Sequence, residues 1–200
     1  MKVNDVMRWC AVPLTLLALA GCKKKPVEDP AAEAVAPPAP LLACPGEAME
    51  YGSAPPDGQE LWCAITTPTG QVTRHGPART WYRDGLRKSS GFYDNGRKTG
   101  HWWYWHDDGT MVREGDYQDG VEHGHWIIYR ADGSIEAEGS MQDGRRHGIW
   151  IGYNATTGVA NQGLWVDGEQ DGIWIEVDEN GEPARERLYR RGRLVSIREL

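Results

Sequence analysis

The sequence predicts an all-β fold in which tandem 24-residue β-hairpin repeats form a single elongated, twisted antiparallel sheet. The first observation is a pair of glycine series with this spacing: Gly76, Gly100, Gly124, Gly148 and Gly172, and Gly96, Gly120, Gly144, Gly168 and Gly192. The second is that aromatic residues recur at fixed places between these glycines. The third is that Asp-Gly and Asn-Gly pairs, which favour tight hairpin turns, separate the apolar segments.

The amino-acid composition indicates a thin core and excludes one class of partner. The chain of 200 residues has 25 Gly, 12 Pro and 40% apolar residues, with 10 Trp and 8 Tyr but one Phe. Tryptophan and tyrosine combine an apolar body with a polar tip, which suits half-exposed surfaces. The formal net charge of −7 and the lack of a basic stripe exclude a nucleic-acid partner, because binding to phosphates needs a basic face.

Residues 1–21 have the organisation of an export signal. Two basic residues precede the apolar stretch Cys10–Ala20, which is too short to span a membrane. The signal ends in the letters LAGC, which resemble the bacterial lipobox, so Cys22 is the predicted lipidation site. The alternatives are ordinary cleavage that leaves a free thiol, or an uncleaved buried helix. We therefore expect a lipid that attaches the chain to a membrane of the cell envelope, and the lysine after Cys22 resembles the outer-membrane sorting pattern.

Residues 22–43 are predicted to be a disordered tether, because proline, alanine and acidic residues leave almost nothing to bury. Residues 44–71 are predicted to be an N-terminal cap, stapled by a disulfide between Cys44 and Cys63. These two cysteines remain once Cys22 is acylated and the signal is removed, and an exported protein meets an oxidising environment. Metal ligation and a redox role are the alternatives, but neither a nearby histidine pair nor a CxxC motif supports them.

Residues 72–192 are predicted to contain five repeats, each reading as strand, turn, strand and turn. A third glycine series keeps the same spacing and stops at Arg187, as expected of a degenerate terminal repeat. Its members are Gly91, Gly115, Gly139 and Gly163. Apolar and polar residues do not alternate strictly in His101–His106, so a bulge or a strand buried on both faces is expected there. Residues 193–200 are predicted to be a C-terminal tail.

The recurrent aromatic residues are the candidate functional residues. They are predicted either to pack between hairpins or to form a platform on which sugars or a partner's side chains stack. The candidates are Trp81, Trp102, Trp103, Trp105, Tyr117, Trp126, Tyr129, Trp150, Tyr153, Trp165 and Trp174. Packing is the preferred interpretation, because every repeat carries such residues and the stacking of hairpins requires an apolar contact there.

The repeat unit resembles the MORN repeat, and more closely its bacterial variant in YwqK-type antitoxin-like proteins. The resemblance is carried by segments such as EGDYQDG at 114–120 and HGHW at 123–126, and it extends over about residues 70–192. It implies β-hairpin units in a rod or open groove that are used for protein contacts, scaffolding and sometimes lipid attachment. The second copy departs from the pattern, because three tryptophans are crowded together at 102–105.

Metal binding and catalysis are not predicted. Histidines recur at equivalent repeat positions, but such positions lie about 9 to 10 Å apart in successive hairpins, whereas a metal holds its ligands at about 2 Å. No serine lies in a nucleophile elbow, the remaining cysteines are expected to be bridged, and carboxylates are spread among Asp-Gly turns. We therefore expect neither an enzyme nor a bound cofactor or metal.

Two functions from different classes follow from these observations. The first is a protein-interaction scaffold of the bacterial envelope, whose sheet edge or face binds another envelope protein, and it predicts mostly buried tryptophans. The second is a module that binds peptidoglycan or another glycan, and it predicts exposed tryptophans. Its basis is the segment GHWWYW at 100–105 followed by DGTM at 108–111, which resembles cell-wall-binding repeats that hold choline or glycan between aromatic residues.

Overall fold

The computed structural model describes residues 42–155 and 158–200. The predicted export signal, the lipidation site at Cys22 and nearly all of the predicted tether lie outside the described residues. Within the described part, thirteen β-strands form one open antiparallel sheet and no residue is helical. The predicted all-β class is therefore confirmed.

The order of the strands in the sheet is their order in the chain, because each strand pairs with its sequence neighbours. The strands are β1 (Met49–Ser53), β2 (Glu60–Thr66), β3 (Val72–Trp81), β4 (Arg87–Asp94), β5 (Arg97–Trp105), β6 (Met111–Gln118), β7 (Val121–Tyr129), β8 (Ile135–Gln142), β9 (Arg145–Asn154), β10 (Gly158–Val166), β11 (Glu169–Val177), β12 (Pro183–Arg190) and β13 (Arg193–Glu199). Strands β3 to β12 are the five predicted hairpins. The predicted cap adds β1 and β2 to the same sheet.

Tight two-residue turns connect each even-numbered strand from β4 onward to the next strand. At Asp119-Gly120 the two residues have φ values of 52° and 87°, and positive φ at both positions is the type I′ geometry that suits a twisted hairpin. The same turn occurs at Asn95-Gly96, Asp143-Gly144, Asp167-Gly168 and Arg191-Gly192. Because the last of these turns reverses the chain after β12, the segment that we expected to be a tail forms β13 and pairs with β12.

A β-bulge accompanies the leading glycine of the repeat. In β7, Gly124 and His125 are extra residues relative to β6, and Gly124 has a φ of 71°, which glycine adopts without the steric cost of a side chain. The register between β5 and β6 also shifts between Tyr104 and Trp105. This shift confirms the bulge expected within His101–His106.

The buried apolar residues form two separate clusters. The N-terminal cluster consists of Leu42, Leu61, Cys63 and Trp81. Here Cys44 and Cys63 form the predicted disulfide, with their Cα atoms 5.4 Å apart, so the segment before β1 is attached to β2. The second cluster lies within the repeats and consists of Trp102, Tyr117, Trp126 and Trp150. Since all described strands belong to one sheet, a repeat buries its apolar side chains mainly against neighbouring strands.

Candidate interaction surfaces

A tryptophan and a glycine form the packing unit that repeats along the sheet. The indole of Trp126 lies over Gly115 of the adjacent strand β6, where an added Cβ would be only 2.3 Å from ring atom Cδ2. The Nε1–H of Trp126 donates a hydrogen bond to the carbonyl oxygen of Asp116 at 3.2 Å. Equivalent contacts join Trp102 to Gly91, Trp150 to Gly139 and Trp174 to Gly163. The third glycine series therefore makes room for the indoles.

The predicted aromatic ladder is divided between the two faces of the sheet, because side chains alternate along a strand. We term one side the tryptophan face; of the predicted ladder it carries Trp102, Tyr117, Trp126, Trp150, Trp165 and Trp174, and Tyr93, Tyr104 and Tyr189 pack against these rings. We term the other side the acid–tyrosine face; its aromatic residues are Trp103, Trp105, Tyr129 and Tyr153. Trp81 packs separately, in the N-terminal cluster. Four tryptophans of the tryptophan face are between 2% and 8% exposed, whereas Trp165 and the aromatic residues of the acid–tyrosine face are half-buried.

Cations lie over the rings of the tryptophan face. The distances from cation to ring centre are 4.3 Å for Lys98 and Trp102, 5.0 Å for Arg113 and Trp126, and 4.3 Å for Arg146 and Trp150. Burial lowers the pKa of Lys98 and of Arg146. Sequence analysis missed these cations. The sequence contains a partial signal for them, because Lys98 and Arg146 occupy the same repeat position. The pattern is interrupted, because Glu122 holds that position in the repeat between them.

A histidine, a glutamate and a tyrosine form a network that occurs twice on the acid–tyrosine face. Glu114 accepts a hydrogen bond of 2.5 Å from the hydroxyl of Tyr129, and its other carboxylate oxygen lies 3.0 Å from Nε2 of His101. The network one repeat later consists of Glu138, Tyr153 and His125. Each network joins neighbouring strands, so His101 and His125 contribute to the packing of the repeats.

The C-terminal part of the sheet presents apolar side chains to solvent. On β9 and β11, Ile149 and Ile173 are exposed at the repeat position that His101 and His125 occupy earlier in the chain. Every residue of β13 is exposed, including its apolar residues Leu194, Val195 and Ile197. Because β13 is the last strand of the sheet, one of its edges has no strand beside it in the described part of the chain.

Residues 42–155 and 158–200 contain no group of three or more His, Cys, Asp or Glu side chains that could hold a metal ion. They also contain no helix that is long and apolar enough to cross a membrane. The absence of an enzymatic activity and of a cofactor stays a prediction.

No family profile matches the chain, and no curated protein matches it. The class of protein is therefore defined by its architecture. It is an open sheet of tandem hairpins with a packed tryptophan row on one face and an exposed apolar strand at one edge.

Proposed function

We propose that this protein is a lipid-anchored interaction scaffold of the bacterial envelope, built of MORN-type repeats, whose β13 edge binds an extended segment of another envelope protein. The observation that carries the proposal is β13 itself, a strand of seven exposed residues at the end of the sheet. An edge strand offers unpaired backbone N–H and C=O groups to a further strand, and its side chains supply specificity. The bound segment would extend the sheet by one strand.

The burial of the tryptophans favours this function over glycan binding. A sugar stacks on the open face of an aromatic ring, but Trp102, Trp126 and Trp150 are at most 3% exposed. Their ring faces are already in contact with backbone glycines and with cations. These three tryptophans of the tryptophan face therefore have little ring surface left on which a sugar could stack.

The N-terminal sequence supports attachment to a membrane, with the outer membrane as the proposed location. The LAGC segment is the basis for a lipid on Cys22, and the Pro/Ala-rich tether leads from it toward β1. Since β13 is at the opposite end of the strand order, the whole sheet separates the binding edge from the tethered end.

The test compares the capture of envelope proteins by the full-length chain and by two matched variants. Ile197→Lys places a charge on the edge strand, and Ile149→Lys places the same charge on the central strand β9 at a similar exposure, 52% against 56%. A lysine on an edge strand opposes the addition of another strand. Each immobilised protein is mixed with detergent-extracted envelope protein, bound proteins are identified by mass spectrometry, and sedimentation with protein-free sacculi is run in parallel.

We expect the wild type and Ile149→Lys to retain one discrete envelope protein, and Ile197→Lys to lose it. Loss with Ile149→Lys alone would locate the contact on the acid–tyrosine face and contradict binding at the edge. Retention on sacculi that is lost with Trp103→Ala would instead identify a cell-wall-binding module.

A further inference from the structure

A gap interrupts the tryptophan face between Trp150 and Trp174. One row of directly opposed residues crosses the sheet beside the tryptophan row, and its members are Ser89, Tyr104, Arg113, Ile128, Ala137, Gly152, Asn161, Glu176 and Arg185. Ala137 and Gly152 are neighbours in this row and have almost no side chain. They leave a pocket of about 220 Å³ that Trp150, Trp165 and Trp174 also line.

A guanidinium group that forms no ion pair within the described residues lies in this pocket, although the nearby carboxylate of Glu136 acts to raise its pKa. Arg146 is placed over the rings of Trp150 and Trp165, at 4.3 and 5.0 Å from the ring centres. Elsewhere on the same face Arg113 forms an ion pair with Glu122 at 2.8 Å. Arg146 makes no ion pair and no hydrogen bond from its side chain in the part of the chain that the structure describes. Its N–H donors are therefore available to an anion.

The remaining polar groups of the pocket also lack protein partners. The Nε1–H of Trp165 is buried and donates no hydrogen bond within the described residues. The side-chain amides of Asn161 and Gln170 line the pocket and are likewise without a hydrogen bond among the described residues. Asn161 and Gln170 are half-buried, so a ligand that enters the pocket can reach their amides, whereas the Nε1–H of Trp165 has no exposed surface. Donors beside aromatic walls suit a ligand that is both anionic and flat.

We infer that this pocket binds a small organic carboxylate that carries one flat ring. The carboxylate accepts hydrogen bonds from the guanidinium of Arg146 and from the side-chain amide of Asn161 or Gln170. Hydrogen bonds between charged groups, such as that with Arg146, are the stronger ones in proteins. The ring lies over Ala137, beside Trp174 and the side-chain amide of Asn161, which itself covers Gly152. The pocket volume of about 220 Å³ suits a ligand with one ring and a short carboxylate side chain, because a cavity of about 150 Å³ holds benzene. This binding is independent of the β13 edge and of a protein partner.

The test measures the binding of phenylacetate to the full-length chain by calorimetry and by tryptophan fluorescence. Phenylacetamide has the same ring and shape but no charge, and acetate has the charge but no ring. We expect saturable binding of phenylacetate at millimolar concentrations or below. We expect phenylacetamide and acetate each to bind about tenfold more weakly, because each lacks one of the two contacts.

Three variants distinguish this pocket from other sites on the sheet. Gly152→Ile fills the gap with the side chain that Ile128 has at the same position one repeat earlier, and it displaces the amide of Asn161, whose Oδ1 lies 2.8 Å from the place of a Cβ on residue 152. It should therefore abolish binding while the thermal unfolding transition is retained. Arg146→Gln removes the cation and should weaken binding about tenfold. Arg113→Gln is the matched control, and it should leave the affinity unchanged because Arg113 lies outside the pocket and already pairs with Glu122.

Several results would overturn the inference. Equal affinities for phenylacetate and phenylacetamide would exclude recognition of the charge, and equal affinities for phenylacetate and acetate would exclude recognition of the ring. Unchanged binding by a folded Gly152→Ile variant would locate the ligand elsewhere. A lack of saturable binding at millimolar phenylacetate would exclude the site itself.

Discussion

Gly115 and Trp126 show why glycine and tryptophan recur together along this chain. The indole occupies the space in which a Cβ of residue 115 would lie, so only glycine fits beneath it. The end of the repeat array has lost both partners, because arginines stand at the glycine position, Arg187, and at the tryptophan position, Arg198. Arg187 instead forms an ion pair with Glu176 at 3.0 Å. A glycine is therefore not needed at position 187, because no indole has to fit over that residue.

Replacement of Gly115 by alanine tests this contact. The methyl group would lie 2.3 to 2.5 Å from three ring atoms of Trp126, so Gly115→Ala should lower the free energy of unfolding by about 1 to 3 kcal/mol. Urea denaturation measures this change. In a Trp126→Ala background the same substitution should cost almost nothing, since the clash is then absent. Equal costs in the two backgrounds would contradict the proposed contact.

The environment of His101 predicts that stability depends on pH. Burial acts to lower the pKa of His101, but hydrogen bonds to Glu114 and Asp116 outweigh it and raise the pKa above the usual 6.5. A raised pKa in the folded state means that the stabilisation is complete below the unfolded-state pKa and disappears as the pH rises through the folded-state value. From about pH 6 to pH 8, the wild type should therefore lose stability relative to His101→Gln.

Urea unfolding midpoints across that pH range provide the measurement. His123→Gln is the control, because His123 lies in no ion pair within the described residues. Its pH dependence should match that of the wild type. Parallel curves for the wild type and His101→Gln would show that the ion pairs of His101 do not contribute to stability.

The strand β13 is held differently from its counterparts β5, β7, β9 and β11, each of which carries a buried tryptophan. It contains no tryptophan, and its side chains are attached to β12 by ion pairs such as Arg198 with Glu186 and Arg185 with Glu199, both at 2.7 Å. Surface ion pairs contribute about 0 to 1 kcal/mol, much less than a buried indole. The strand therefore combines weak attachment with an open edge. The capture experiment with Ile197→Lys tests this element, since it changes one side chain of the edge and leaves β3 to β12 intact.

The described part of the molecule is a single sheet, and each of its strands pairs only with its sequence neighbours. The stability of such an array is approximately a sum of terms for each repeat and for each interface between neighbours. A change in one repeat should therefore act mainly on the strands beside it.

Hydrogen exchange of a Trp126→Ala variant tests this behaviour. The substitution should lower stability by about 3 to 5 kcal/mol, because it removes a side chain that is 2% exposed. Protection of backbone amides should fall most in β6 to β8 and progressively less toward β3 and β12. Trp103→Ala, on the half-buried opposite face, is the control and should have a smaller effect. A uniform loss of protection along the whole sheet would contradict local coupling.

The strand pattern, the turns and the disulfide were predictable because their causes are local or periodic. Asp119-Gly120 predicts a tight turn from two adjacent residues, and the 24-residue spacing predicts which segments are equivalent. The pairing of Cys44 with Cys63 was predictable because the other two cysteines are expected to be lost, one with the export signal and one, Cys22, to the lipid. The strand β13 was missed, because Arg191-Gly192 is a weaker turn signal than an Asp-Gly or Asn-Gly pair and no aromatic residue marks the segment after it.

The faces and the pocket could not be predicted in this way, because they depend on which residues lie opposite one another. The aromatic residues were read as one ladder, but alternation along the strands and the bulges at residues such as Gly124 divide them between two faces. The pocket arises because Ala137 and Gly152, distant in sequence, are opposed across β8 and β9. Repetition along the chain determined the fold, whereas the register between strands, set by hydrogen bonding and by side-chain packing, determined the surfaces on which function depends.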